Sequence, residues 1–139
     1  MINRWYCDVC GEPINGAENG LLIWQFDNKD MNYNFKIVHK DKCDDRNFPS
    51  SYELQSCIGI DGLLRLIMFL DDGDLFDKNQ RQNTVLNLSE FIEILKRLQI
   101  PNYEEARKYF KDDEIKNKLY DSYLLDQKTL KQIIELNSK

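Results

Sequence analysis

The sequence holds a single histidine, His39, among 139 residues. That scarcity excludes several chemistries at once. A serine–histidine or cysteine–histidine nucleophile pair needs an imidazole free to move protons, and a catalytic zinc site needs an open position and usually more than one histidine. Long apolar runs are missing too. The longest, Leu63 to Leu70, is interrupted by Arg65 and falls well short of the roughly 18–20 residues that span a bilayer. Met1–Cys10 carries Trp5, Cys7 and Asp8 where a signal peptide would have its apolar stretch, so a cytoplasmic localisation is expected. No internal repeat and no low-complexity tract is visible.

Basic charge is also in short supply. Nineteen Lys and Arg stand against 24 Asp and Glu, a formal net charge of −5. Residues 84–139 hold ten of each sign, so the acidic excess lies wholly in residues 1–83, with nine basic and fourteen acidic residues. Phosphate backbones are bound by Lys and Arg that displace counterions, so no general nucleic-acid binding is expected. Apolar material is plentiful: 42% of residues are hydrophobic and 12% aromatic, enough for the core of one domain.

Four cysteines in a chain read as cytoplasmic are metal ligands or buried packing residues before they are disulfides. Residues 7–11 read Cys-Asp-Val-Cys-Gly, two thiols three residues apart on a tight turn that Gly11 relieves. A loop of turn formers, Glu12 to Gly20, leads to two β-like runs, Leu21–Phe26 and Tyr33–His39, on either side of the polar turn Asp27–Asn32. The two-residue strand period puts Tyr33, Phe35, Ile37 and His39 on one inward face. Cys43 follows His39 by four. The set Cys7, Cys10, His39 and Cys43 is thus Cys-x2-Cys, a gap of 28 residues, then His-x3-Cys. Three thiolates and an imidazole suit one tetrahedral, structural Zn2+ per chain. An iron–sulfur cluster ranks below zinc, and so does a redox pair, because a redox pair should open a helix after a strand. Cys57, between Leu54 and Ile58, reads as a buried packing residue, with an exchange of roles with Cys43 as the alternative.

The order of knuckle, hairpin and then ligands where a helical turn begins resembles a treble-clef zinc finger over residues 5–45. The resemblance implies a structural zinc and no particular activity, because this finger type serves many functions. Finger-based nucleases of the His-Asn-His type share the layout. They need catalytic histidines beyond the structural ligands, and here His39 is already used.

Downstream the pattern turns helical. Ser50-Ser51-Tyr52-Glu53 has capping-box spacing with Gly59 as a helix stop, and Asp61 can cap an apolar helix at about 62–70, the expected central buried helix. The acidic loop at 71–83 fails as a calcium loop: counted from Asp72, positions 5, 6 and 12 are Phe76, Asp77 and Asn83. Asn87-Leu88-Ser89-Glu90 offers a second box, with Leu86 and Phe91 as a staple. The helix it opens would present Leu88, Phe91, Ile92, Leu95 and Leu98 and stop at Pro101. Asn102-Tyr103-Glu104-Glu105 repeats the box, and helices follow at about 103–111, 113–124 and 127–137, the last capped by Asp126.

The expected fold is α+β, a small zinc-knuckle and β-hairpin module (1–48) packed against a mostly α-helical bundle (49–139), together one domain. The expected function is that of a non-enzymatic interaction or regulatory protein with a structural zinc ion, binding a protein partner or itself and no membrane. A nucleic-acid-binding zinc-finger regulator is the alternative. An enzyme of unrecognised type comes third, with Asp71, Asp72 and Asp74 its only obvious catalytic carboxylates. The partner surface is expected at Tyr103, Tyr109, Tyr120 and Tyr123, beside Phe110, because aromatics beyond a helix pair's own packing needs are typical interface anchors.

Overall fold

The computed structural model describes residues 2–70, 84–115, 117 and 125–137. The chain is α+β, as its patterning predicts. Strands β1 (Arg4–Tyr6) and β2 (Pro13–Asn15) pair antiparallel with Trp5 opposite Ile14, and both of those side chains are fully buried. The Cys-Asp-Val-Cys-Gly turn joins them. Gly11 sits there at φ +78°, a left-handed conformation that favours glycine. A 3-10 turn, Ala17–Asn19, leads into β3 (Gly20–Phe26), which pairs antiparallel with β4 (Asn32–His39).

The polar turn between β3 and β4 is built on Asp27, whose carboxylate accepts the backbone N–H of Lys29 and of Met31, both at 2.9 Å. β4 does not keep a strict two-residue period. Ile23 faces Lys36 while Gln25 faces Tyr33, so β4 carries one extra residue, with Asn34 at φ +60°. The bulge moves Tyr33 to the side of Lys36 and leaves Phe35 and Ile37 in the core. Tyr33 therefore does not share the inward face.

The other side of β3 is taken by β5 (Ser50–Glu53), which pairs Trp24 with Ser50 and Leu22 with Tyr52. The capping-box reading of Ser50–Glu53 is corrected here. β3 is apolar and buried from Gly20 to Trp24, so its backbone needs a hydrogen-bonding partner on each side. That tertiary demand overrides a local cap. A 3-10 turn, Leu54–Cys57, follows, and Gly59 at φ +72° opens helix α1 (Gly59–Ile67) where the pattern placed a stop.

Helix α1 is also not the central buried helix. Only Gly62 and Leu66 are buried within it, while Ile60, Leu64 and Ile67 are exposed. The centre belongs instead to an aromatic cluster. The rings of Trp24, Phe35, Phe69 and Phe91 pack with centroids 5.1–5.8 Å apart. Helix α2 (Leu88–Gln99) is capped as its sequence predicts, the Asn87 side chain accepting from Glu90 N at 3.1 Å. The Glu90 carboxylate does not return to the cap. It accepts the N–H of Phe35 at 2.7 Å, so it serves the bulge. Leu86 is exposed and gives no staple. The buried stripe of α2 is Phe91, Ile94, Arg97 and Leu98, rotated from the expected one, with Leu88 and Ile92 outside.

Helix α3 is short (Tyr103–Arg107). Its N-cap Asn102 adopts φ +67° and donates to the Gln127 side chain at 3.0 Å, so the third box does not form. Helix α4 (Gln127–Asn137) begins where Asp126 accepts Thr129 N at 2.9 Å, as expected. Tyr103, Ala106, Ile115, Leu130 and Ile133 form a second apolar cluster. The main cluster runs from Trp5 to Leu98, so residues on both sides of position 48 pack into it.

Candidate metal centre

Each candidate ligand is delivered by a different backbone device. The β1–β2 turn brings Cys7 and Cys10 together, closed by Gly11 N donating to Cys7 O at 2.9 Å and by Cys7 N donating to Glu12 O at 3.0 Å. His39 ends β4 opposite Gly20, and Cys43 lies in the turn that follows. The expected helical turn after His39 is an ordinary turn. It still carries Cys43 back to the site. Sγ of Cys7, Cys10 and Cys43 and a nitrogen of His39 all lie within 4.8 Å of one another.

The geometry suits a small tetrahedral cation. His39 Nδ1 is 3.4 Å from Cys10 Sγ and 3.7 Å from Cys43 Sγ. Metal–sulfur and metal–nitrogen bonds of about 2.3 and 2.0–2.1 Å at a tetrahedral angle imply about 3.6 Å between those atoms. On the far side of the ring, Nε2 lies 3.0 Å from Pro13 O. A carbonyl only accepts, so Nε2 carries the proton and Nδ1 presents its lone pair to the sulfurs. Backbone N–H groups complete the shell, Val9 N donating to Cys7 Sγ at 3.4 Å.

Electrostatics explain why three sulfurs this close call for a cation. Burial opposes charge on Cys7, yet the backbone amides of Cys10, Val9 and His39 bring its thiol down to about 6. Burial, followed by the neighbouring Cys7 and Cys10 sulfurs, pushes Cys43 up to about 11. Like charges cannot all form in one place without a counter-charge among them. Sequence reasoning thus identified all four residues of a cluster able to hold a metal ion. Cys57 stands apart, fully buried, its thiol pushed up to about 11 by burial and its Sγ 3.6 Å from Glu53 O.

What the sequence did not reveal is the brace behind the knuckle. Arg97 is only 2% exposed. Its guanidinium donates to Glu104 through two atoms at 2.7 and 2.9 Å, to Asp8 Oδ2 at 2.8 Å and to Tyr6 O at 3.0 Å. Burial opposes its charge, but Glu104 and Asp8 more than offset that and hold it firmly protonated. Asp8 sits between the candidate ligands Cys7 and Cys10 and also accepts Ile37 N at 2.8 Å. Glu104 accepts Tyr6 N at 3.0 Å. The only signal in the sequence was the seven-residue spacing of Arg97 and Glu104, which is too common to single out.

The aromatic surface expected at the chain's end is corrected in part. Tyr103 is buried, its hydroxyl donating to Glu93 at 2.7 Å, because the second apolar cluster needs it. Tyr109 and Phe110 are half-buried against that cluster. Tyr120 and Tyr123 lie outside the described residues, as do Asp71, Asp72 and Asp74. No helix among the described residues is long and apolar enough to cross a membrane. No family model matches the sequence, and no curated protein and no solved structure matches it.

Proposed function

We propose that the chain is a non-enzymatic interaction or regulatory protein with one structural zinc ion, held by Cys7, Cys10, His39 and Cys43, in a treble-clef-like arrangement. The observation that carries this reading is the closed donor set. Four side-chain donors within 4.8 Å of one another would fill the shell of a tetrahedral ion and leave no position for water or substrate. Zinc is favoured over harder cations because three of the four donors are sulfur. In this role the ion contributes folding energy, and function falls to the surface it organises. The acidic balance supports a protein partner over a phosphate backbone.

X-ray absorption at the zinc edge tests the reading. The expected result is one zinc per chain with three sulfur neighbours and one nitrogen. An oxygen neighbour, or folded protein with almost no metal, would overturn it. Affinity purification from the native host with mass spectrometry is expected to return a stoichiometric protein partner.

A further inference from the structure

The three-stranded sheet has two outer edges, β4 and β5, and they are treated differently. On β4 the outward N–H groups of Phe35 and Ile37 donate to the carboxylates of Glu90 and Asp8, and Ile37 O accepts Asp8 N at 2.8 Å. Those bonds fix the ladder. Ile37 turns its backbone outward, so its partner Leu22 turns toward β5, and Tyr52, opposite Leu22, turns toward β3. Ser51 and Glu53 therefore aim their backbone groups away from the sheet. Glu53 O accepts from Ser56 Oγ at 2.8 Å and from Cys57 Sγ at 3.6 Å. Ser51 N–H, Ser51 C=O and Glu53 N–H have no hydrogen-bond partner among the described residues, and both residues are exposed.

A groove accompanies this open edge. Asp61, Leu64, Arg65 and Met68 recur at helical spacing along α1 and its C-cap, and they line a hollow of about 790 Å³ together with Ser50 and Tyr52 of β5. The Arg65 guanidinium stays with its own chain, over the Tyr52 ring at 5.6 Å and with Nε donating to Ser56 O at 3.1 Å, so it forms part of the wall.

The unmet groups select the occupant. Backbone donors and acceptors two residues apart on a strand are matched by another extended backbone, whereas a helix has used its own internally. Residues directly opposite on neighbouring strands share a face of the sheet, about 5 Å apart. An added residue opposite Tyr52 thus sets its side chain on the Tyr52 face, toward the hollow, while those opposite Ser51 and Glu53 face the other way. A second copy of β5 is a poorer match. Paired about Tyr52, each Ser51 N–H would need the other copy's Glu53 O, which already accepts two hydrogen bonds. The residue brought to the hollow would be another Tyr52, whose ring is already packed on its own Trp24 and Phe69.

We propose that the outer edge of β5 takes an extended peptide segment of a partner protein as an added strand, held by the backbone of Ser51 and Glu53 and read by one apolar side chain in the hollow between β5 and α1. Main-chain hydrogen bonds supply the attachment in this mode, and the pocket for alternate side chains supplies the selectivity. The proposal rests on the reading that the chain binds a protein partner, and it names the chemistry of what is bound.

Selection of random linear peptides displayed on phage, against the full-length, zinc-loaded protein, tests it. The expected binders share an apolar residue, and they slow hydrogen exchange at the Ser51 and Glu53 amides of the wild-type chain. Glu53→Pro tests the edge directly. Glu53 already has φ −61°, the value a proline ring imposes, and its N–H serves nothing in the fold, so stability and zinc content should be kept. The ring removes the donor and stands in the way of the added strand, so affinity for the selected peptides should fall about tenfold or more. Glu53→Gln keeps the N–H and gives up only the Lys40 ion pair, and should bind as wild type does. A selection that yields no peptide overturns the proposal, as do peptides that leave both amides unprotected or bind Glu53→Pro as tightly as wild type. A partner from the native host that binds Glu53→Pro unchanged also overturns it, and leaves the broader reading of a protein partner standing.

Discussion

Arg97 of α2 donates to Asp8 of the cysteine knuckle across 2.8 Å, so a residue between two candidate metal ligands is fastened to the helical part of the chain. The same guanidinium grips Glu104. Breaking such a buried set from one side leaves carboxylates without a partner. Arg97→Met is therefore expected to cost about 3–5 kcal/mol of stability, and to weaken zinc binding through loss of the knuckle's brace. The double variant Arg97→Met with Glu104→Leu should recover much of that loss, because less charge is stranded. Urea unfolding of wild type, Arg97→Met, Glu104→Leu and the double variant, with competitive zinc titration, checks both; simple additivity would contradict the coupling.

Cys43 and Cys57 separate ligand from packing. Cys43→Ser should lose the metal and with it stability on the order of 10 kcal/mol, enough to unfold the protein. Cys57→Ser should keep full zinc content and lose only about 1–3 kcal/mol for burying a hydroxyl. Elemental analysis with a thermal melt distinguishes them. Wild-type Cys57 should also resist alkylation at neutral pH until the chain unfolds, since burial pushes its thiol up to about 11.

Gly62 makes a prediction that runs against helix propensity. Alanine is favoured over glycine in a helix by about 1 kcal/mol. Here a Cβ would lie 2.2 Å from the Cys57 carbonyl carbon, which is backbone and has little room to move. Gly62→Ala should therefore destabilise by about 2 kcal/mol or more, measured as a shift in the urea midpoint.

Glu105 supplies a pH signature. Burial opposes its charge, but Arg4, the Tyr6 hydroxyl and Lys108 more than offset that and hold its carboxyl below the ordinary value. A depressed folded-state value means stability that is present above the unfolded value of about 4.3 and disappears as pH falls through the lower, folded one. Glu105→Gln should be less stable than wild type at pH 7. The gap should narrow as pH falls below about 4 and close once pH has passed the lower, folded value, where wild type carries a protonated carboxyl too. Unfolding both proteins across pH reads the difference directly, with any acid release of metal common to both.

Local chemistry was legible wherever it was also sufficient. The four candidate ligands, the β3–β4 hairpin, the Asn87 cap and the Asp126 cap each rest on residues close in sequence or on a rare residue type. The misreadings share another cause. Ser50–Glu53 looks like a helix start, and only the unmet hydrogen bonds of β3 make it a strand. The extra residue at Asn34 leaves no trace in polarity, so Tyr33 was assigned to the wrong face. α2 hides a charged residue in its buried stripe because Asp8 and Glu104, 89 and 7 residues away, neutralise it. Partners that far apart cannot be read from periodicity.

The pairing of β5 with β3 has a practical side. A fragment ending near residue 48 would contain every candidate metal ligand and would look like a complete unit on paper. It would also strip β3 of its second neighbour, leaving the backbone of Leu21–Trp24 open along one edge of an apolar strand. Such an edge is a template for strands from other molecules. The isolated fragment should therefore aggregate, and extending it through Cys57 would pair that edge while still leaving Trp24 and Phe35 without the Phe69 and Phe91 rings they pack on.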